Sequence, residues 1–515
     1  MNWENLKHWR LENKEGVAEL VLDKADSSVN VLDNEVLTQL EQIVDYFEQE
    51  PPEALMISSA KKAGFLAGAD ISEFQDLDTH EQVISMLQRG QNLFLRFERL
   101  KCPTVALIHG HCLGGGMELA LSCDYRVVED SRECKLGLPE VKLGIHPGYG
   151  GAVRLPRLID PGQALQLMLA GRIVDGKTAK RLGLADMAVH PRYFQEAGLA
   201  LIKKGKRKPK SSLKHNLYSL PPVRSLVGSM AAKQVSKKAR RDHYPAPYRI
   251  IDFWKQNPRG QQSAYRAEAE SVAKLFAGDN SRRAIENLVR VFLLDKELKA
   301  QGKKVRFEGT HVHVVGAGVM GGDIAAWCAL SGFRVTLQDA KPEFIAPAIA
   351  RAYKLFKRKL KATHLVNAAM DRLIPDPGAL GVPQADLIIE AITERLDAKQ
   401  GLYAALEPRM KPSAVLATNT SSLPLEQLSE GLARPERLVG IHFFNPVALM
   451  QLVEVVRGSN TSDEIVDLAL AFVGRIGKLP LEVKSSPGFL VNRVLMAYLG
   501  EAMKLHQEGV PAELI

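Results

Sequence analysis

The stretch that most constrains the fold runs from Val312 to Asp339, because it reads as a strand, a glycine-rich turn, a helix and a second strand. Valines 312, 314 and 315 predict a buried strand, residues 324–330 predict a helix, and residues 335–337 predict the second strand, which leads to Asp339. The glycines of the turn are Gly316, Gly318 and Gly321. This order and spacing predict a βαβ unit at the start of a doubly wound, Rossmann-type α/β domain.

The turn has the form that binds the pyrophosphate of a dinucleotide. Gly316 permits the tight turn, Gly318 lets a pyrophosphate approach the backbone, and Gly321 lets the helix pack on the strand. The helix N-terminus presents unpaired N–H groups to the phosphates. Asp339 would hold the adenosine ribose, and its charge favours NAD over NADP, whose 2′-phosphate it would repel. A glycine turn before a helix is common, so this interpretation depends on the strand, helix and acid occurring together.

The length and composition are those of a globular protein with several domains. A chain of 515 residues is too long for one core, which predicts two to four domains. No apolar run reaches the ~18 to 20 residues of a membrane span, and the first residues lack the features of a signal or transit peptide, so we expect a cytoplasmic protein. The five cysteines form no C-x-x-C pair, which predicts buried reduced thiols, with neither disulfides nor a metal site. They are Cys102, Cys112, Cys123, Cys134 and Cys328.

The net charge of +9 is concentrated in two basic runs, at residues 203–210 and 233–241. The simplest interpretation of such runs is a solvated loop. A phosphate-rich cofactor and peripheral contact with a membrane surface are left open as alternatives. Nucleic acid is not favoured, because no aromatic residues interleave with residues 203–210 and no nucleic-acid module surrounds them.

The order of elements predicts two α/β domains joined by a helical segment. Before residue 190, strands are predicted at 17–22, 54–58 and 104–108, with helices at 32–47 and through residue 97. From 191 to about 304 the chain is basic and interrupted by prolines, which predicts a tail and linker; the prolines are Pro209, Pro221, Pro222, Pro245, Pro247 and Pro258. Residues 284–301 predict one long helix with a face that packs on a domain. That face consists of Ile285, Leu288, Val289, Phe292, Leu293 and Leu298. Strands at 387–389, 415–418 and 438–441 would continue a parallel sheet.

Two acids in the first domain stand among apolar residues. Glu118 follows three glycines and precedes Leu119, and Glu140 lies in Leu-Gly-Leu-Pro-Glu-Val. A carboxylate in such surroundings loses hydration, which raises its pKa toward the range useful for proton transfer. If both converge on one pocket, they can activate a water and protonate a neighbouring carbon. The alternative is a pair of structural acids that cap helices.

A loop of small residues from Gly64 to Ile71 adds backbone N–H groups that could be aimed at a developing oxyanion. With this loop, the chain resembles the enoyl-CoA hydratase (crotonase) family over residues 10–190. The resemblance is carried by Phe-Leu-Ala-Gly-Ala-Asp-Ile at 65–71, Gly-Gly-Gly-Met-Glu-Leu-Ala at 114–120, Leu-Pro-Glu at 138–140 and Pro-Gly-Tyr-Gly-Gly at 147–151. It implies a crotonase-like ββα spiral, catalytic glutamates at Glu118 and Glu140, and an oxyanion hole formed by the N–H groups of Ala69 and Gly115.

A second constellation lies after residue 440. His442 ends a predicted strand and Glu454 lies on the next, so the two can meet. An imidazole can take a hydroxyl proton at neutral pH, and a carboxylate on its other nitrogen fixes the tautomer. The alternative is a histidine that is only part of the core. Residues 419–422 and Asn492 add neutral groups suited to a hydroxyl and a thioester carbonyl.

These residues, with Glu-Ala-Ile-Thr-Glu at 390–394, resemble the 3-hydroxyacyl-CoA dehydrogenase family over residues 308–515. The resemblance implies that His442 is the base, Glu454 orients it, and Ser421 and Asn492 bind substrate. It further implies an NAD environment that includes Met320, Asp339, Ile392, Thr393, Glu394, Lys399 and Asn445.

As a whole the chain resembles the family of α subunits of the bacterial fatty-acid β-oxidation complex. The domains expected are a hydratase core (1–190), a helical basic tail and linker helix (191–306), an NAD-binding dehydrogenase domain (307–485) and the first helix of an all-α C-terminal domain (486–515). The expected activity is hydration of trans-2-enoyl-CoA followed by NAD-dependent oxidation, so the expected substrates are acyl-CoA thioesters. Whether a thiolase subunit is a partner is left open, and the full-length protein is expected to be an oligomer. One alternative is that the first domain mainly isomerises 3-enoyl-CoA to 2-enoyl-CoA. The other is that the chain is a degenerate enzyme scaffold that binds anionic partners.

Residues 488–506 are apolar on nearly every face, and a helix of this kind needs neighbours on all sides. Because the families resembled continue into a helical domain here, the chain is expected to be a fragment that keeps hydratase activity, shows weak or absent dehydrogenase activity and tends to associate with itself. The expected patch is Phe489, Leu490, Val494, Leu495, Tyr498 and Leu499.

Overall fold

The computed structural model describes residues 3, 6–14, 17–74, 79–207, 213–257 and 262–515. Three residues of the first basic run, at 208–210, and two of the linker prolines, Pro209 and Pro258, lie outside this part of the chain. The chain divides into two compact units, Met1–Phe292 and Leu293–Ile515, which are treated separately below.

The first unit is an α/β structure built on a six-stranded sheet. The strands of the whole unit, including two outside this sheet, are β1 (Trp9–Lys14), β2 (Val17–Leu22), β3 (Leu55–Ser59), β4 (Thr104–Ile108), β5 (His111–Leu113), β6 (Tyr125–Glu129), β7 (Lys135–Gly137) and β8 (Met187–Val189). The order in the sheet is β1-β2-β3-β4-β6-β8, and all neighbours are parallel except β1 and β2. Strands β5 and β7 form a separate parallel pair beside the site described below.

Helices cover this sheet and continue beyond residue 190. They are α1 (Asn34–Gln49), α2 (His80–Glu98), α3 (Gly115–Ser122), α4 (Gly151–Leu158), α5 (Pro161–Ala170), α6 (Gly176–Leu182), α7 (Phe194–Ile202), α8 (Leu213–Ser219), α9 (Pro221–Ser236), α10 (Ala246–Gln256), α11 (Gln262–Ala277) and α12 (Asp279–Gln301). Helices α10 and α11 bury apolar faces in the same core as the sheet, with Trp254 and Val272 almost fully buried. They are therefore structural parts of the first unit.

The start of α1 shows why the predicted boundary at residue 32 was two residues early. Asp33 caps the helix, since its carboxylate accepts a hydrogen bond from the Val36 N–H at 2.8 Å. Leu32, just before the cap, instead forms a β-bridge with Ala69. This bridge fixes the glycine-containing loop at residues 64–71 against the unit's core.

The second unit contains an eight-stranded sheet. Its strands are β9 (His311–Val315), β10 (Arg334–Gln338), β11 (Leu373–Pro375), β12 (Leu387–Glu390), β13 (Val415–Thr418), β14 (Leu438–Phe443), β15 (Leu452–Arg457) and β16 (Leu479–Lys484). Its helices are α13 (Val319–Leu330), α14 (Ile345–Leu360), α15 (Thr363–Asp371), α16 (Leu396–Leu406), α17 (Leu425–Leu428), α18 (Asp463–Arg475) and α19 (Val491–Gln507).

The strand order is β11-β10-β9-β12-β13-β14-β15-β16, which confirms the Rossmann-type fold. The chain leaves β9 in one direction toward β10 and returns on the other side as β12, so a crevice lies beyond the carboxyl ends of β9 and β12. The sheet is parallel from β11 to β14, but β15 runs antiparallel to β14. The strands predicted at 387–389, 415–418 and 438–441 correspond to β12, β13 and β14, and their parallel arrangement is confirmed. A short connection at residues 444–451 then turns the chain back into the antiparallel strand β15.

Two predicted apolar faces are only partly buried. In α12, Ile285 and Val289 are buried whereas Phe292 and Leu293 are exposed. After β16, Leu490, Val494, Leu495, Tyr498 and Leu499 are exposed as expected, with Tyr498 exposing 69% of its surface. The prediction that Phe489 belongs to this exposed patch is wrong, because its side chain is 2% exposed and packs against Leu425 and Val456. None of the helices in the described ranges is long and apolar enough to cross a membrane.

Candidate active sites

Helix α3 carries Glu118 into the interior of the first unit. The helix begins after Gly114, whose φ of 51° favours glycine, and Gly116 leaves no room for a side chain because a Cβ would lie 2.5 Å from the Leu66 carbonyl oxygen. Glu118 lies one turn further and is 3% exposed. Its Oε1 accepts hydrogen bonds from the backbone N–H groups of Tyr149 at 2.8 Å and Gly151 at 2.7 Å.

Burial raises the pKa of Glu118 to about 7, although the N–H groups of Gly151 and Tyr149 oppose this increase by stabilising the carboxylate. A carboxyl with a pKa near neutral can take up and release a proton under ordinary conditions. Burial thus changes the pKa of Glu118 in the direction expected from its apolar neighbours.

Glu140 differs from Glu118 in having no partner. It begins a short 3₁₀ helix, Glu140–Leu143, and both carboxyl oxygens are buried without a hydrogen bond from any described residue. Burial, and then the charge of Glu118, raise the pKa of Glu140 well above its usual value. A buried polar group left without a partner needs an explanation, and a water or substrate that completes the site supplies one.

The proposed oxyanion hole lies beside these acids. The Leu32–Ala69 bridge leaves the Ala69 N–H without a partner, and Gly115, as the first residue of α3, likewise has no hydrogen bond from its N–H among the described residues. A Cβ on Gly115 would lie only 3.5 Å from the Ala69 nitrogen. Two unpaired donors from different segments thus lie next to each other, as stabilisation of an oxyanion requires.

Sequence reasoning missed a third buried acid at this site, Glu268 on α11. Its side chain is 0% exposed, and it accepts hydrogen bonds from the same loop that contacts Glu118. The signal in the sequence was an acid on the buried face of a helix, four residues after Ala264 and four before Val272.

The second unit brings His442 and Glu454 together. His442 Nδ1 lies 2.7 Å from Glu454 Oε2, and both side chains are buried. Burial alone would raise the pKa of Glu454, but hydrogen bonds from His442 and from the N–H groups of Val491 and Leu490 hold it below its usual value. The carboxylate at Nδ1 leaves Nε2 as the nitrogen available for a proton from a ligand.

Neutral groups surround this histidine. Asn419 accepts a hydrogen bond from the Phe443 N–H at 2.8 Å, which ties the loop after β13 to the strand that carries His442. The amide of Asn492 donates to the Ser421 carbonyl oxygen at 3.1 Å. Two predicted substrate-binding residues, Ser421 and Asn492, are therefore in contact although they lie 71 positions apart.

The glycine-rich turn after β9 fits a dinucleotide. Gly316 has a φ of 107°, and a Cβ on it would lie 2.4 Å from the carbonyl oxygen of Ala391. A Cβ on Gly321 would lie 1.9 Å from the carbonyl oxygen of Gly316. Gly318 is exposed and has open space where a side chain would be. Asp339 accepts hydrogen bonds from the N–H groups of Ala317 and Lys341 at 2.6 and 2.9 Å. A carboxylate has about four acceptor positions, so it can still accept from a ribose.

A buried network supports the opposite wall of this crevice. Glu390, at the end of β12, accepts from Lys399 Nζ at 2.6 Å and from Tyr403 Oη at 2.7 Å. Lys399 also lies 3.3 Å from Glu394, which accepts from Thr420 Oγ1 at 2.6 Å. Burial would raise the pKa of Glu394, but these contacts and the Ser421 N–H hold it low. Glu390 was named in the sequence only as part of the motif at 390–394, and Tyr403 was not singled out.

The other predicted cofactor-site residues lie at segment ends around the crevice. Met320 is in the first turn of α13, Ile392 and Thr393 follow β12, and Asn445 follows β14. In the described part of the chain, no cluster of three His, Cys, Asp or Glu side chains could hold a metal ion.

The comparisons with known proteins match the two parts of the chain to two enzyme families. Residues 12–220 match the family model for enoyl-CoA hydratase/isomerase, and residues 311–486 match that for the NAD-binding domain of 3-hydroxyacyl-CoA dehydrogenase. The chain is 37% identical to a fatty acid oxidation complex subunit alpha of Aliivibrio fischeri, over 98% of this chain and 74% of that protein. A protein of the same name from Pseudomonas entomophila is 37% identical over 96% of this chain and 70% of its own length.

Among solved structures, a 3-hydroxybutyryl-CoA dehydrogenase from Ralstonia eutropha is 33% identical and covers 40% of this chain and 74% of its own, with a TM-score of 0.39. The assignment rests on the sequence matches, which extend over both units. The chain has a hydratase domain followed by an NAD-dependent dehydrogenase domain, and it belongs to the family of fatty acid oxidation complex α subunits.

Proposed function

We propose that Glu118 and Glu140 hydrate trans-2-enoyl-CoA and that His442 then serves as the base for oxidation of the (3S)-hydroxyacyl-CoA product. The observation that carries this proposal is the contrast between the two acids of the first unit. Glu118 is held by two N–H donors, whereas both oxygens of Glu140 are buried without a hydrogen-bond partner in the described part of the chain.

In hydration, the ionised Glu118 takes a proton from water as the water oxygen bonds to C3. Glu140, whose pKa is raised by burial and by the charge of Glu118, delivers a proton to C2. Negative charge develops on the thioester oxygen, which can accept hydrogen bonds from the N–H groups of Ala69 and Gly115. One such donor is worth about 2.7 to 4 kcal/mol in studied enzymes.

In oxidation, His442 Nε2 takes the proton of the 3-hydroxyl group. Glu454 keeps the other proton on Nδ1 and stabilises the imidazolium that results. Asn492 and Ser421 orient the hydroxyl and thioester oxygens. NAD⁺, when bound, is the hydride acceptor. It would be held by Asp339, Gly318 and the N-terminus of α13.

Isomerisation of 3-enoyl-CoA is the alternative activity of the first unit, because the same pair of glutamates could relay a proton between two carbons. A degenerate scaffold is not favoured, because the catalytic positions of both units are complete. The relatives are named as subunits of a complex, and we propose that this chain also assembles with a partner that consumes 3-ketoacyl-CoA, which is the chemistry of a thiolase.

Formation of NADH from crotonyl-CoA and NAD⁺ tests both sites at once, because the absorbance signal requires hydration and oxidation in sequence. We expect NADH from crotonyl-CoA and, more directly, from added 3-hydroxybutyryl-CoA. A signal from the hydroxy substrate alone would contradict the proposed role of the first unit. Analysis of the products formed from 3-enoyl-CoA separates hydration from isomerisation.

A further inference from the structure

The segment 147–152, a loop that leads into the first turn of α4, passes between two buried carboxyl groups that receive its N–H groups alternately. The N–H groups of Tyr149 and Gly151 donate to Glu118 at 2.8 and 2.7 Å. Those of Gly150 and Ala152 donate to Glu268 at 2.7 and 2.9 Å. The orientation of the first pair is therefore coupled through the backbone to the second.

Glu268 is placed for this contact by α2 and α11. Its Oε2 also accepts a hydrogen bond from Gln91 on α2 at 2.9 Å, and the same amide lies 2.9 Å from the Gly148 carbonyl oxygen. Glu268 thus accepts three N–H donors, two of them from the loop. A carboxylate suits this arrangement because it is an acceptor only, and an amide in its place would turn an N–H group toward a donor.

The loop cannot hold its shape by backbone preference alone. Gly150 has a φ of 99°, and a Cβ there would meet the Arg154 guanidinium at 2.1 Å and the Tyr265 ring at 2.8 Å. Burying a carboxylate costs free energy that an apolar residue of similar size would not. The cost indicates a role that an apolar side chain could not serve.

We propose that Glu268 is a positioning residue for hydration. It fixes the loop so that the N–H groups of Tyr149 and Gly151 remain directed at Glu118. The inference rests on the proposed function of Glu118. Glu268 lies on α11, outside the range matched by the hydratase family model, so a helix beyond that range takes part in organising the hydratase site.

The test compares Glu268→Gln, Glu268→Asp and a control on the same helix, Glu270→Gln, whose side chain pairs with Arg266 at the surface. Glu268→Gln keeps the length but replaces one carboxyl oxygen by an NH2 group, and Glu268→Asp keeps the carboxyl group but withdraws it by one methylene. For hydration of crotonyl-CoA we expect both to lower kcat about 10- to 100-fold with KM changed less than about threefold, because misplacement of a catalytic group costs rate. Glu270→Gln should match the unaltered chain.

A folded Glu268→Gln variant with kcat within about twofold of the unaltered chain would overturn the inference. Should Glu268→Gln not fold, Glu268→Asp decides the question by the same measurement. Hydrogen exchange of the peptide covering residues 144–155 provides a readout independent of turnover, and it should be faster in the Glu268 variants only. If the unaltered chain does not hydrate crotonyl-CoA, the proposed function is wrong. Unchanged hydrogen exchange of residues 144–155 in the Glu268 variants would refute the positioning role, whether or not the chain hydrates crotonyl-CoA.

Discussion

His442 and Glu454 lie directly opposite each other in the antiparallel pair of β14 and β15, with Nδ1 and Oε2 separated by 2.7 Å. Side chains of directly opposed residues project from the same face of a sheet, so the strand register itself brings base and carboxylate together. The other oxygen of Glu454 accepts from the N–H groups of Leu490 and Val491, where α19 begins. The carboxylate that orients the base therefore also anchors the last helix.

Glu454→Gln should lower the rate of 3-hydroxybutyryl-CoA oxidation by about 10²- to 10⁴-fold, because the amide keeps the shape but can present an N–H group to Nδ1 and so favour the wrong tautomer. NADH formation from added hydroxy substrate measures this rate. Glu482→Gln, at a solvent-accessible pair with Arg457 on the next strand, is the control and should leave the rate unchanged. A Glu454→Gln variant with normal oxidation would show that the contact is only structural.

The two activities should be separable by mutation, since their proposed residues lie in different units. Glu140→Gln is expected to reduce hydration by about 10²- to 10⁴-fold, the usual contribution of an acid–base residue, and to leave oxidation of added 3-hydroxybutyryl-CoA intact. His442→Ala should do the reverse. Both rates are measured on the same preparations, so each activity controls for the fold of the other. Loss of both activities in folded Glu140→Gln would contradict the two-site proposal.

The sequence was informative where function depends on short segments and uninformative where it depends on distant contacts. Glu118, His442 and the glycines after β9 stand in local patterns whose chemistry can be inferred from neighbouring residues. Glu268 cannot be found in this way, because its loop donors lie 116 and 118 positions earlier in the chain. The burial of Phe489 is likewise a long-range effect, since it depends on contact with Leu425.

Asp339 should decide the choice of cofactor more than the choice of substrate. Asp339→Ala removes the proposed acceptor for the ribose and the charge that would repel a 2′-phosphate. Because a hydrogen bond to a charged group is worth about 1.5 to 3 kcal/mol, the Kd for NAD⁺ should rise about 10-fold or more and the preference over NADP⁺ should narrow. Titration of both cofactors measures this, with the exposed Glu343→Gln as the control. An unchanged preference would remove Asp339 from the cofactor site.

Glu118→Gln should abolish hydration yet stabilise the first unit, and the stabilisation should grow with pH. Burial raises the pKa of Glu118 from about 4.3 in an unfolded chain to about 7, so the folded state binds the proton more tightly. The favourable contribution is fully present below about pH 4 and is lost as the pH rises through 7, and the difference corresponds to at most roughly 3 to 4 kcal/mol.

Glutamine avoids this loss because it carries no charge at any pH, and its Oε1 can still accept from the N–H groups of both Tyr149 and Gly151, which share one oxygen of Glu118. The free energy of unfolding of the first unit can be followed by urea titration with hydrogen exchange of core peptides from β4. We expect the difference between Glu118→Gln and the unaltered chain to be larger at pH 8.5 than at pH 5, and Glu270→Gln to show no such trend. An equal difference at both pH values would mean that burial does not raise the pKa of Glu118, and the conclusion that this carboxyl both takes up and releases a proton near neutral pH would then be wrong.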